Sequence, residues 1–249
     1  MTKIIVRSAL PAILFMTGIC FAFTGGEILS LQSALKDRPV GERIAATAEK
    51  FIGTPYDPDP LGAYVTKAAV VADGEVDCMY LVFRAVEIAL TSTPEEAVTM
   101  ALQMRFHSRG VLHNGKVVNY DNRYRYGEDM IESGKWGGEI TATLGKTVRV
   151  EGTRGKAFPA VLTSRELLKG IEKLRNGDIV FFIKDPAKKV EGELVGHIGI
   201  VRAEAVPHGA VYLIHASGTK GKGGMVKKVR LKDYIGRMPF IGARITRFP

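Results

Sequence analysis

The stretch Gly74-Glu75-Val76-Asp77-Cys78-Met79-Tyr80-Leu81-Val82 decides how the rest of the chain is read. A cysteine stands at the head of an apolar run over residues 79–90, with an aspartate immediately before it. Val82, Val86 and Leu90 recur at i, i+4 and i+8, the spacing of one buried helical face. Asp77 is a good N-cap type, which puts Cys78 in the first helical turn. There the unpaired backbone N–H groups and the positive end of the helix dipole favour a thiolate, the form in which cysteine is a nucleophile. The plain alternative is that Cys78 is a small buried hydrophobe, the commonest fate of a free cysteine.

The chain has 249 residues, enough for one large domain or two small ones. With 46% hydrophobic and 24% charged residues and no internal period, it is neither disordered nor a repeat protein. The net charge of +9 suits a surface facing nucleic acid, anionic lipid or an acidic polymer such as a bacterial cell wall, or a basic face with no dedicated partner. A nucleic-acid binder calls for a basic stripe with exposed aromatics. Arg123-Tyr124-Arg125-Tyr126 is too short a version of that, so no nucleic-acid partner is expected.

Lys3 and Arg7 precede an apolar run over residues 8–23, and Gly25-Gly26 follow. A short positive region, an apolar core and a small-residue exit read as a secretory signal peptide over residues 1–24, which places the protein in the periplasm or cell envelope. An uncleaved anchor is the alternative, and the only membrane contact expected, although the run is short for a span of about 20 residues. Cys20 does not read as a lipoprotein site, because Ile19 stands where such signals want a small residue. Removal of the signal leaves Cys78 as the lone cysteine, which excludes an internal disulfide and leaves an intermolecular bridge or a free thiol.

Residues 25–40 read as a leader of weak periodicity, and residues 41–249 as a single domain with an irregular insertion at about 105–160. Ile44, Ala45, Ala48, Phe51 and Ile52 form an amphipathic helix ended by Gly53 and Pro55, and Gly53-Thr54-Pro55-Tyr56 opens a rigid, turn-rich loop. A second helix is expected over 94–104, strands over 139–144 and 147–150, and a helix capped by Ser164 and running to 174. From Gly177 onward β-rich runs at 179–183, 197–201, 211–215, 226–231 and 241–248 are separated by Gly, Pro and Asp, with a helical turn at 232–237. Helices first and strands afterwards make an α+β fold, with an antiparallel sheet or small barrel at the C-terminal end.

Of the five histidines, His107, His113 and His208 lie in polar loops and read as surface residues. His197 and His215 each sit in a β-run, at a spacing that suits neighbouring strands. A histidine on a sheet facing the Cys78 helix can act as general base and then as acid, and a second polar residue on the next strand would orient its ring. Two satisfied core histidines are the alternative. A zinc site of Cys78, His197 and His215 is a weaker reading, because no short ligand pair such as Cys-x-x-Cys or His-x-x-x-His is present, so neither metal nor cofactor is expected.

Gly53-Thr54-Pro55-Tyr56, Asp77-Cys78, Gly177-Asp178-Ile179-Val180-Phe181-Phe182, Gly196-His197-Ile198-Gly199-Ile200 and Ile214-His215-Ala216 follow one another in this order. The series resembles the NlpC/P60 cell-wall cysteine peptidases, a papain-like superfamily of exported bacterial enzymes. Within it, Leu213-Ile214-His215-Ala216-Ser217, Leu231-Lys232-Asp233-Tyr234-Ile235 and Ile241-Gly242-Ala243-Arg244-Ile245 are similar to the ending of the N-acetylmuramoyl-L-alanine amidase-like branch. The resemblance extends over nearly all of residues 41–248.

The resemblance implies a papain-like NlpC-type fold, with Cys78 as nucleophile, His197 as base and His215 as orienting residue. It also implies a Tyr56 hydroxyl turned toward the cysteine. Peptidoglycan or muropeptides would be the substrate, cut at the N-acetylmuramoyl-L-alanine amide. The alternatives are a γ-D-glutamyl-diaminopimelate endopeptidase and a non-catalytic wall-binding protein on the same scaffold. The insertion looks like the substrate side, where Arg105, Arg123 and Arg125, with Tyr124 and Tyr126, would meet muropeptide carboxylates. A solvated loop face is the alternative for that cluster. Arg123-Tyr124-Arg125-Tyr126 replaces the branch's Arg-x-His-Tyr run, Met130 stands where tryptophan is usual, and Met79 and Tyr80 replace the small residues after the cysteine. These departures bear on substrate choice more than on the triad.

Overall fold

Helices fill the first half of the chain and strands the second. The structure is a computed structural model that describes residues 23–155, 159–185, 192–204, 209–219 and 222–249. Most of the segment read as a signal peptide, with Cys20, lies outside the described residues, as does His208. The helices are α1 (Gly25–Leu35), α2 (Val40–Lys50), α3 (Ala63–Thr66), α4 (Cys78–Ala89), α5 (Pro94–Met104), α6 (Gly127–Ser133), α7 (Thr141–Leu144), α8 (Ser164–Lys169) and α9 (Leu231–Arg237). The strands are β1 (Leu112–His113), β2 (Lys116–Val117), β3 (Gly138–Glu139), β4 (Thr147–Arg149), β5 (Ala160–Thr163), β6 (Ile179–Lys184), β7 (Val195–Ala203), β8 (Val211–Thr219), β9 (Gly223–Arg230) and β10 (Phe240–Arg247).

β1 and β2 form a small hairpin of their own, and the other eight strands make one antiparallel sheet. Its order is β4-β5-β10-β6-β7-β8-β9, with β3 added beside β10; it stays open and does not close into a barrel. The architecture is α+β, and its two layers follow from strand alternation. Ile179, Phe181, Ile198, Ile200 and Ile214 point to the face on which α4 packs. Val180, Phe182, Val201, Leu213, Ala243 and Ile245 point to the other face, covered by Leu167 of α8 and by Leu231 and Ile235 of α9.

The central helix is α4, buried from Tyr80 to Ala89 on every side. Such a helix is held by its apolar side chains, each worth about 1.5–3 kcal/mol when fully buried. Arg84 and Glu87 are buried with them, and a buried charge persists only when paired. Arg84 grips Asp73 with two hydrogen bonds of 2.7 and 2.9 Å, and Glu87 takes two from Arg105 at 2.6 and 2.7 Å.

Residues 25–40, read as a leader of weak periodicity, contain α1, which is fixed by a capping box, in which Thr24 accepts from the Glu27 N–H while the Glu27 carboxylate accepts from the Thr24 N–H; its Ile28 enters the core. Two local expectations are corrected. Residues 139–144 are not one strand, because pairing stops at Glu139 and the chain turns into α7. The helix expected up to residue 174 is α8, capped by Thr163, followed by a separate 3-10 turn, Ile171–Lys173. Among the described residues no helix is long and apolar enough to cross a membrane.

Candidate active site

Asp77 is the N-cap of α4, and its Oδ1 accepts from the N–H groups of Met79 and Tyr80 at 3.0 and 2.8 Å. That holds Cys78, which is free of any disulfide and partly buried, at the start of the helix. It also occupies two first-turn donors that would otherwise be open to a developing oxyanion. The following turn is fastened from its side chain: the Tyr80 hydroxyl donates to Asp73 at 2.9 Å and accepts from the Ala72 N–H at 2.5 Å.

Residues 53–57 lace the cysteine segment to the sheet. The Gly53 N–H donates to the Val226 carbonyl, the Tyr56 N–H to that of Gly224, and the Val226 N–H to that of Thr54. On the other side the Val76 N–H donates to the Pro55 carbonyl and the Asp57 N–H to that of Val76. Tyr56 is therefore clamped between β9 and the residues just ahead of Cys78. Its ring lies on Gly218, where a Cβ would come within 2.2 Å of the Tyr56 Cγ, so only glycine fits there. Burial, and then the negative charges of Cys78, Asp77 and Asp57, hold the Tyr56 phenol well above its usual range. It stays a hydrogen-bond donor at neutral pH.

His197 and His215 lie on adjacent strands, and His197 Nε2 is 2.8 Å from His215 Nδ1. One of the two nitrogens must carry the proton. If His197 is to offer Nδ1 as a base, its Nε2–H donates to His215, whose proton then sits on Nε2. Burial, and then His215, push His197 down to about 3, and burial, and then Lys227, push His215 down to about 4. Both rings are neutral at pH 7.

Strand pairing sets His197 opposite Phe182, so both imidazoles lie on the α9 face of the sheet, not on the face that receives the body of α4. Tyr234 of α9 joins the two halves. Its ring packs against His215 and His197 at centroid distances of 4.8 and 5.9 Å, and its phenol is held above its usual range by burial and then by the charge of Cys78. Tyr56 and Tyr234 both feel the charge of Cys78, and Tyr234 in turn packs on His197 and His215, so the two tyrosines link the first turn of α4 to the histidine pair.

The residues expected on the substrate side do not gather there. Arg105 is 1% exposed and spent on Glu87 and, at 2.8 Å, on the Val70 carbonyl, with its guanidinium over the Tyr80 ring; it is a core residue. Arg123 donates to the Tyr120 carbonyl at 2.9 Å. Tyr124 is buried, with its ring on His107 and the Lys135 ammonium above it. Arg125 is exposed with a loose contact to Asp121 at 3.6 Å, and Tyr126 lies under the Arg154 guanidinium at 4.1 Å. His107 and His113 are exposed.

Tyr234 and Lys227 were not singled out in the sequence. Tyr234 lies in a helical turn too short to show a face, and Lys227 gains its meaning only from the β8–β9 register that sets it opposite His215. Among the described residues no cluster of three or more His, Cys, Asp or Glu side chains is arranged to hold a metal ion.

No family model matches the chain, and no curated protein matches it in sequence. Solved structures do resemble it. An N-acetylmuramoyl-L-alanine amidase from Bacteroides uniformis is 22% identical with a TM-score of 0.64, over 84% of this chain and 98% of its own. A protein of the DUF1460 family from Legionella pneumophila is 17% identical with a TM-score of 0.68, over 90% and 94%. A Bacteroides fragilis protein provisionally named a xylanase is 21% identical with a TM-score of 0.62, over 82% and 100%. At these identities the likeness is one of fold, spanning nearly the whole of the compared chains.

Proposed function

We propose that this chain is a cysteine-nucleophile amidase of the NlpC/P60 type, exported to the cell envelope, that hydrolyses an amide of peptidoglycan or its muropeptides. The bond is the one joining N-acetylmuramic acid to L-alanine. The observation that carries the reading is Cys78 at the capped end of a buried helix, with the protonated Tyr56 beside it and the His197–His215 hydrogen bond on two adjacent strands. The amidase from Bacteroides uniformis with the same fold supports the substrate class.

In this reading the imidazole that receives the Cys78 proton is neutral at rest. The Cys78 Sγ attacks the lactyl carbonyl carbon while its proton passes to His197 Nδ1, and His215 Nδ1 holds the resulting imidazolium by accepting from Nε2–H. Negative charge collects on the carbonyl oxygen. With Met79 and Tyr80 N–H committed to Asp77, the Tyr56 hydroxyl is a donor for that charge. The C–N bond breaks, His197 gives its proton to the departing L-alanine amine, and a thioester remains. Water then attacks the thioester, its proton goes to His197, and the thiol leaves reprotonated.

The test is mass spectrometry of purified muropeptides after incubation with the wild type and with Cys78→Ala. Free stem peptide from the wild type, and none from the variant, is the expected result. Release of a disaccharide-dipeptide would replace the amidase reading with an endopeptidase. No cleavage by either protein, with intact binding to wall sacculi, would make the chain a binding scaffold.

A further inference from the structure

Tyr234 takes no part in the reaction as written, yet it touches both imidazoles. It lies in the seven-residue helix α9, between Leu231 and Ile235, which are buried and fix the helix to the sheet. Its ring meets His215 at 65° and His197 at 34°, with Phe182 of β6 5.1 Å away on the same face. The two imidazoles are nearly perpendicular, at 88°, an angle that the hydrogen bond between their in-plane nitrogens allows but does not require. Neither ring has a covalent reason to hold that angle, since χ2 of histidine is a broad torsion. The aromatic packing supplies one.

We propose that Tyr234 is a positioning residue whose ring roofs the His197–His215 hydrogen bond, fixes the planes of both imidazoles and keeps water off them. Its consequence for turnover rests on the cysteine-amidase reading; its effect on the histidine pair does not. A hydrogen bond between neutral rings competes with water wherever water reaches it, and gains strength as the surroundings dry. The groups that face the pair are each imidazole for the other, Lys227 of β9 opposite His215, uncharged Phe182 of β6 and Tyr234 of α9, whose phenol in turn feels Cys78 at the start of α4. Burial is the largest influence holding both histidines below their usual range, so removing the roof raises both.

The experiment compares the full chain with Tyr234→Phe and Tyr234→Ala. His197 and His215 titrations are followed by NMR of the ring carbons, beside kcat and KM on muropeptides. Tyr234→Phe keeps the ring, and both its midpoints and its kcat should stay near wild type. Tyr234→Ala should move both midpoints up toward the free value of about 6.5 and lower kcat about 10–100-fold with KM little changed. Wild-type midpoints in Tyr234→Ala would overturn the proposal. So would a Tyr234→Phe variant as impaired as Tyr234→Ala, which would assign the effect to the hydroxyl. If Tyr234→Ala does not fold, Tyr234→Leu makes the same comparison with the volume partly kept. The titration needs no substrate, so a wild type that cleaves no muropeptide would defeat the functional reading while the roof is still decided.

Discussion

The Arg105 guanidinium has exchanged water for the Glu87 carboxylate, the Val70 carbonyl and the faces of Tyr64, Tyr80 and Phe83. Removing one partner of such a pair leaves the other buried and uncompensated. Arg105→Ala is therefore expected to destabilise the fold by about 3–5 kcal/mol, read from urea unfolding. A rise in KM with unchanged stability would return Arg105 to the substrate side and contradict its placement in the core. Arg125, more than half exposed, makes the opposite case: Arg125→Ala should change stability by less than about 0.5 kcal/mol. The sequence did carry a sign of the buried network. Arg84 and Glu87 interrupt an otherwise apolar helix, and a helix buried all round must bring counter-charges to them from elsewhere. What the sequence lacked was the direction of the search, because an arginine in a loop reads by default as solvated.

A helix cap and a charge are two separable properties of Asp77. Its carboxylate occupies two donors at the head of α4, yet its negative charge stands next to Cys78, where a like charge opposes ionisation of a thiol. Asp77→Asn keeps a good cap and removes the charge, so it should leave stability nearly unchanged while Cys78 is alkylated faster at pH 7. Asp77→Ala should cost about 1 kcal/mol, measured by thermal unfolding. Equal alkylation rates in wild type and Asp77→Asn would show that the charge does not reach the sulfur. This helix was legible from its apolar spacing and its cap. The first helix was not, because its face is weak; the signal it did carry is Thr24 followed three residues later by Glu27, the pattern of a capping box.

Across the whole molecule the strands were legible, since β-rich runs between Gly, Pro and Asp mark them by composition alone. The face each histidine takes was not. Between β6 and β7 the register skips Gly196, from Phe182 opposite His197 to Ile183 opposite Val195, which turns Val195 to the α4 face while His197 keeps the other. The isolated glycine is the one mark of that bulge in the sequence, and it does not say which face the histidine takes. The neutral histidine pair also sets the acid stability. Both folded values lie below the unfolded value of about 6.5, so the unfolded chain binds more protons below that pH. Their contribution is complete above about 6.5 and is lost as the pH falls toward the folded values, at up to about 1.4 kcal/mol per pH unit for each ring. Urea midpoints between pH 7 and pH 5 should fall more steeply for wild type than for His215→Asn; parallel curves would sink the argument. The lacing of residues 53–57 onto β9 reaches beyond the candidate site. β9 is the last strand of an open sheet, and its outer backbone would be a template for a foreign strand. The hydrogen bonds from Gly53, Thr54 and Tyr56 cover its first half, and Lys227, Lys228 and Arg230 line the remainder with positive charge. The segment that holds Tyr56 beside the cysteine is thereby also the selvedge of the sheet, and a lesion there would both loosen Tyr56 and leave the protein more prone to aggregate.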